Sequence, residues 1–313
     1  MARAAGSLTD LMMTKQLEGV MAPVVTTFTA GGELDLEAFR ANVRAHLAAG
    51  LNGVVLVGST GENPLVDDVE RRRLVEVARA EVPADKWLIV ATGAESTRQV
   101  MSRNADAARL GADAVLVVSP HYYTPSMTTE VLRSHYRAVA DTSPLPVLVY
   151  NIPKYTHFVF PPELIGELAQ HANVIGMKDS SGDLALLTQY LAHQSANFTV
   201  ITGAGHLLAE GMAAGARGGI LAVSLFAPAL CLAVYAARRS GNDGAAVQAQ
   251  ATLFPMAKEI VGVMGVPAIK VALDRVGLHG GVPRMPLLPL GADGVARVEA
   301  LLAEAGLGVG AAA

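Results

Sequence analysis

Eight short apolar runs, each separated from the next by a stretch of helical period, restrict what this chain can fold into. The runs are Val20–Phe28, Gly53–Val57, Trp87–Ala91, Ala114–Val118, Pro146–Tyr150, Val174–Met177, Thr199–Ile201 and Gly219–Val223. They are nearly continuous in apolar residues instead of alternating, as strands are when a parallel sheet is buried on both faces. Between them Leu36–Ala49, Asp67–Glu81, Thr97–Leu110, Thr129–Ala140, Pro162–His171, Ala185–Ala192 and Leu207–Ala214 read as helices. An open doubly wound α/β sheet would show the same alternation. Two features favour a closed (β/α)8 TIM barrel: the count reaches eight, and no GxGxxG follows the first run. Glycine also recurs between a helix end and the next strand, at Gly111 and Gly215.

After Ser224 the pattern changes. Phe226–Arg239, Ala245–Val263, Pro267–Gly277 and Gly294–Ala305 read as helices without intervening strands, and Leu278–Asp293 as a Gly- and Pro-rich loop. The expected organisation is a barrel carrying the active site over 16–224 and a helical C-terminal extension over 225–307, with mobile tails at 1–15 and 308–313. With 51% apolar residues among 313, the chain has ample material for a core and is not a disordered one. No run approaches the roughly 18 apolar residues of a membrane span. A formal charge of −4 gives no electrostatic reason to expect a nucleic-acid partner. Cys231 is alone, so neither an internal disulfide nor a CxxC site is available. The N-terminus does not read as a secretory signal, and the expected location is cytoplasmic.

In such a barrel, chemistry belongs at the C-terminal ends of the strands. Of six lysines, only Lys178 directly ends an apolar strand. A lysine there loses hydration, which disfavours its charged form. A neutral amine can attack a ketone and form a Schiff base, which then acts as an electron sink. The plainer reading pairs Lys178 with the adjacent Asp179 in a structural ion pair. Tyr150 ends the preceding strand and would stand beside Lys178, where a phenol could move protons at the imine; the plainer reading is an amphipathic rim residue. Tyr122 ends the strand before that. The turn Gly58-Ser59-Thr60-Gly61-Glu62 offers two hydroxyls and successive N–H groups suited to a carboxylate or phosphate, or is simply a tight turn. It is not a P-loop, since no GK[ST] follows. The eight histidines form neither HxH nor HExxH, so no metal site is expected.

Five motifs occur in order: GSTGE (58–62), GADAVLVVSPHYY (111–123), LVYNIP (148–153), IGMKDSSGD (175–183) and GGI (218–220). With them, the chain from Gly19 to Leu301 resembles the family of dihydrodipicolinate synthase and N-acetylneuraminate lyase, the pyruvate-dependent class I aldolases. The resemblance implies that Lys178 is the Schiff-base lysine and Tyr150 the proton-relaying tyrosine. It makes Ser59 the relay hydroxyl and Tyr122 a second tyrosine donated across a dimer interface. It implies that Thr60 and Gly61 hold the pyruvate carboxylate and that Gly203 and Ile220 lie near the imine. No cofactor and no metal are implied; the partners would be a small 2-oxo acid and further copies of the chain, as a homodimer or homotetramer, with no nucleic acid and no membrane.

Two departures bear on substrate. Dihydrodipicolinate synthases carry an arginine two residues after the proline of the YNxP motif, where this chain has Tyr155. N-acetylneuraminate lyases carry an acidic pair after the glycine of the seventh strand, where this chain has Ala204-Gly205-His206. The GMKDSSGD form, ESTRQ (95–99) and GVPAIKVALDRVGLHGGVPRMPL (265–287) look most similar to 4-hydroxy-2-oxoglutarate aldolases, in which Ser180 would contact substrate. With Tyr155 in place of arginine, the distal part of the substrate is expected to meet His157, His206 and the hydroxyls of Ser180 and Ser181, none of them a permanent cation. The expected activity is an aldolase acting on a 4-hydroxy-2-oxo acid. Alternatives using the same imine are a dehydratase of a 2-oxo-3-deoxy sugar acid and a dihydrodipicolinate-synthase-type condensation. Outside enzymology, a non-catalytic 2-oxo-acid-binding barrel would have the same fold.

Overall fold

The computed structural model describes residues 15–308. Its strands are β1 (Gly19–Pro23), β2 (Gly53–Leu56), β3 (Trp87–Ala91), β4 (Ala114–Val118), β5 (Val147–Asn151), β6 (Val174–Asp179), β7 (Thr199–Thr202) and β8 (Gly218–Ile220). They form a closed barrel in chain order. All pairs are parallel, and β8 meets β1 with Ile220 opposite Met21. The (β/α)8 barrel with C-terminal helices expected from the sequence is therefore the fold. β3 and β4 have the expected limits, whereas β1 ends at Pro23 and β8 at Ile220, where the chain enters a 3-10 turn over Ala222–Leu225.

Both faces of each strand are buried, and the two faces serve different cores. Met21, Val55, Ile89, Leu116, Leu148, Ile201 and Ile220 fill the barrel. Val20, Val54, Val90, Val115, Val149 and Val200 point the other way and pack under the helices. This explains continuous apolar runs without alternation. The helices between the strands are started by their own sequence. Asp67 accepts from the Glu70 N–H at 2.8 Å while the Glu70 carboxylate accepts from the Asp67 N–H at 3.1 Å, a reciprocal cap on helix Asp68–Glu81. Ser96, Thr128 and Asp183 cap the helices that follow them one way, each side chain accepting from a first-turn N–H.

The N-terminal end of the barrel is plugged. The Trp87 indole donates to the Gln16 carbonyl at 3.0 Å. Lys15, which the sequence reading placed in a mobile tail, is buried; its ammonium lies 2.7 Å from Asp113 and donates to the Lys86 carbonyl at 2.9 Å. Residues 1–14 and 309–313, where the remainder of the expected tails falls, lie outside the described residues.

The extension comprises helices Pro228–Arg239, Asp243–Met256, Val266–Arg275 and Ala292–Glu304. The helix expected over Ala245–Val263 forms but changes type: it is α-helical to Met256 and π-helical over Ala257–Met264. Pro255 precedes the change; having no N–H, it removes a rung of the ladder and displaces the carbonyl one turn back. Helix Val266–Arg275 is fastened to the barrel mouth by a buried ion pair. The Lys270 ammonium, 1% exposed, lies 2.8 Å from the Glu62 carboxylate, which is fully buried. It also donates to the carbonyls of Thr26 and Val282 at 2.8 Å each. Burial holds the Lys270 ammonium below its usual range, with Glu62 opposing that shift.

Replacing Glu62→Gln leaves this ammonium buried without an anion. Folding stability is expected to fall by about 3–5 kcal/mol, and Glu62→Gln combined with Lys270→Met should recover most of it. Urea unfolding of the two variants checks this; a single-variant loss below about 1 kcal/mol, the value of an exposed pair, contradicts it.

Candidate active site

At the C-terminal mouth of the barrel lies a cavity of about 310 Å³, within the range of small-molecule sites. Lys178 and Tyr150 are both in its wall. Their adjacency depends on an irregularity between β5 and β6. Val147 pairs with Val174, but Leu148 pairs with Gly176, so one extra residue of β6 is passed over. The shift places Tyr150 opposite Lys178. The Lys178 ammonium lies 4.4 Å from the centroid of the Tyr150 ring, over its face. Lys178 is 6% exposed, so the attraction between cation and ring operates largely away from water. The Tyr150 hydroxyl stands 3.5 Å from Ser180 Oγ.

The ion pair that the sequence allowed between Lys178 and Asp179 does not form. Successive side chains of a strand point to opposite faces; Met177 packs outward, Lys178 therefore points inward and Asp179 outward. The Asp179 carboxylate accepts instead from Asn151 Nδ2 and Ser181 Oγ, each at 2.7 Å. Burial raises its pKa, with these hydrogen bonds opposing the shift.

The other expected residues divide. Ser59, Thr60, Ser180, Gly203, Ile220 and Tyr155 line the cavity. The GSTGE turn is bracketed by two left-handed residues, Val57 at φ 51° and Glu62 at φ 58°. For a β-branched side chain such as Val57 that conformation is strained, and it turns the loop over the mouth. The N–H groups of Ser59 and Thr60 have no acceptor among the described residues, which suits them to an anion. Gly61 is not in the wall. It is buried behind the turn, its carbonyl accepting from Thr26 Oγ1 at 2.6 Å, and a Cβ there would come 3.0 Å from the Val24 carbonyl. Tyr122 is also absent from the cavity of its own chain: it is 77% exposed, and its N–H donates to the Glu95 carboxylate at 2.8 Å.

Of the residues expected to meet the distal end of a substrate, Ser180, Ser181 and His206 are in the wall. His157 is exposed at φ 60° and is not. The expectation of a rim without permanent cations is overturned: Lys154 and Lys258 both line the cavity. Lys258 belongs to the π-helical segment, which also contributes Val261, Gly262 and Val263, so the site is built by barrel and extension together. No motif or periodicity marks Lys258 in the sequence. Its segment, π-helical after Pro255, lies at the mouth. Among the described residues no cluster of three histidine, cysteine or carboxylate side chains is placed to hold a metal, and no helix is long and apolar enough to cross a membrane.

Gly203 is required by crowding. A Cβ there would lie 1.9 Å from Ser180 Oγ and 2.7 Å from Lys178 Cε. Gly203→Ala is expected to displace the lysine and reduce covalent capture of a 2-oxo acid at Lys178 by at least about tenfold, roughly 1.4 kcal/mol, with the far-UV circular dichroism unchanged. Undiminished capture would show that the lysine has room to move.

Comparison with known proteins agrees with this geometry. The chain is 37% identical over 292 residues to an uncharacterised DapA-like lyase of Halobacterium salinarum, covering 93% of this chain and 95% of the relative. It is 34% identical over 281 residues to a 4-hydroxy-tetrahydrodipicolinate synthase of an Exiguobacterium species, covering 90% and 95%. Among solved structures, the chloride-inhibited dihydrodipicolinate synthase of Acinetobacter baumannii, complexed with pyruvate, superposes with a TM-score of 0.89 at 27% identity, covering 93% of this chain and all of that one. Residues 16–305 match the dihydrodipicolinate synthetase family. The chain belongs to that family and is an enzyme of its kind, a class I carbon–carbon lyase that works through a Schiff-base lysine.

Proposed function

We propose that the protein is an aldolase that cleaves, or in reverse forms, a 4-hydroxy-2-oxo acid of the 4-hydroxy-2-oxoglutarate type, with Lys178 as the Schiff-base lysine and pyruvate as the enamine half. The observation that carries this reading is the pairing of Lys178 with Tyr150 at the cavity wall, register-matched and 4.4 Å from ammonium to ring. In the cleavage direction the Lys178 amine attacks C2 of the oxo acid and water leaves, giving a protonated imine. The C4 hydroxyl then loses its proton, the C3–C4 bond breaks, and its electron pair moves into the C2–C3 bond, neutralising the imine nitrogen. An aldehyde departs, the enamine takes a proton at C3, and hydrolysis releases pyruvate and the free lysine. Tyr150, with Ser59 and Ser180 near the mouth, supplies the groups that move these protons. The free N–H groups of Ser59 and Thr60 suit the C1 carboxylate.

In this reading Tyr122 completes the proton relay of a second copy, and the protein works as a dimer or tetramer in the cytoplasm. An active monomer by light scattering would remove that role for Tyr122. A second reading, condensation of the dihydrodipicolinate-synthase type, is favoured by the names of relatives such as the Exiguobacterium enzyme. Tyr155 opposes it, because a phenol gives a second carboxylate one neutral hydrogen bond where arginine gives a bidentate ionic one. Product analysis after mixing pyruvate with candidate aldehydes separates the two.

Pyruvate with borohydride is expected to add irreversibly to Lys178, the peptide carrying the adduct being located by mass spectrometry. Lys178→Arg should abolish it, since a guanidinium stays protonated and does not attack. An adduct on any other lysine would reject the assignment.

A further inference from the structure

The charge in the cavity wall is one-sided. Among the described residues it holds Lys154, Lys178 and Lys258 and neither an aspartate nor a glutamate. Two of these cations have a task. Lys178 would be bonded to substrate. Lys154 donates to the Gly262 carbonyl at 2.8 Å and lies 5.5 Å from the Tyr155 ring, which ties the loop after β5 to the π-helical segment. Lys258 has no acceptor among the described residues. Its neighbour Glu259 is committed to Arg297 at 2.7 Å.

The wall that holds both the reacting lysine and this third cation also carries polar groups. Ser180, Ser181 and Gly182 follow Lys178 out of β6, and a Cβ on Gly182 would touch the His206 ring at 3.2 Å. The His206 imidazole lies edge-on to Phe254 at 6.1 Å, one helical turn before Lys258. Burial, and then the Lys258 ammonium, hold His206 below its ordinary pKa. Glu210 and a hydrogen bond with the Gly182 backbone oppose that shift, whose net direction favours the uncharged imidazole beside the lysine. A cation without a protein anion, at the rim of a cavity lined by no carboxylate, selects for negative charge on what enters.

We infer that Lys258 is a specificity-determining residue whose ammonium takes the distal carboxylate of a dianionic 2-oxo acid bonded through C2 to Lys178. The inference rests on the Schiff-base reading of Lys178 and on the oxo-dicarboxylate substrate proposed above, and adds what recognises it: the second anion is held by the C-terminal extension and not by the strand loops.

Borohydride trapping tests this without requiring turnover. The probes are pyruvate, 2-oxoglutarate and 2-oxopentanoate, the last two of equal chain length and differing in the distal charge. For the intact protein, 2-oxoglutarate should trap at Lys178 at a concentration at least about tenfold lower than 2-oxopentanoate. Lys258→Gln should reduce that preference by about tenfold, and Lys258→Glu further. Lys258→Arg, which keeps the charge, should retain most of it and controls for damage to the fold. If pyruvate does not trap at Lys178 in the unsubstituted protein, the Schiff-base reading fails and this inference with it. If pyruvate traps normally but 2-oxoglutarate has no advantage, or Lys258→Gln leaves the preference within about twofold, the role of Lys258 alone is refuted.

Discussion

The register between β5 and β6 decides which side chains share the barrel mouth. Had the pairing of Val147 with Val174 continued unbroken, Tyr150 would sit beside Met177, which packs outward under the helices. Passing over one residue of β6 moves Lys178 into that place, and because a strand alternates its faces, the same step sends Asp179 to the outer side. The irregularity is held on both flanks. Gly176, at the shifted pair, has no room for a Cβ, which would come 2.3 Å from the Thr199 carbonyl of β7. Beyond it, the Asp179 carboxylate accepts from Asn151 Nδ2 directly across the strand pair. A glycine and a buried amide–carboxylate bond thus maintain a register that the hydrophobic pattern alone would leave open.

The opposite wall of the mouth is held electrostatically. Glu62 ends the turn that presents Ser59 and Thr60, and its buried carboxylate binds the Lys270 ammonium and the Arg284 N–H, at 2.8 Å each. Arg284 in turn spans Glu70 at the start of a barrel helix and the Leu65 carbonyl, both at 2.6 Å. Two residues of the C-terminal region therefore fasten the hydroxyl turn, and helix Val266–Arg275 carries the π-helical segment at its N-terminal end. Removing one charge from so buried a pair disturbs the turn and the extension at once. Apolar replacements of both partners would preserve the packing, but the left-handed Glu62 backbone would lose the bond that holds it beside the site.

The barrel was legible because its strands bury both faces; β3 and β4 could be delimited to the residue from their apolar runs alone. Lys178 and Tyr150 were legible for a related reason, since each is the first polar side chain after such a run. The bulge between them was not, because the apolar residues of β5 and β6 satisfy either register. That Gly61 lies behind the wall was not legible, since a tight turn shows its composition but not which of its residues face inward. Lys258 escaped notice because it comes from a segment read as continuous helix, and the single proline that alters the helical register does not announce where the following side chains will point. Tyr122 illustrates the limit of a single chain: its motif is intact, yet the residue is exposed and is not among those lining the cavity.

Chemistry and selectivity in this molecule reside on different parts of the fold. The amine and the phenol rise from adjacent strands whose geometry the closed sheet dictates, so they should vary little while the barrel persists. The residues proposed to meet the far end of a substrate come from elsewhere: Tyr155 from a single helical turn after β5, His206 from the 3-10 turn after β7, and Lys258 from a helix outside the barrel. None of these is fixed by strand register. Each can change its charge without disturbing the lysine, which is how one scaffold accommodates several 2-oxo acids. Family membership therefore establishes the imine, whereas in the proposed reading the choice of substrate falls to charges at the rim. Here those charges are positive where the loop after β5 offers only a phenol, and their source is the part of the chain that the barrel pattern does not describe.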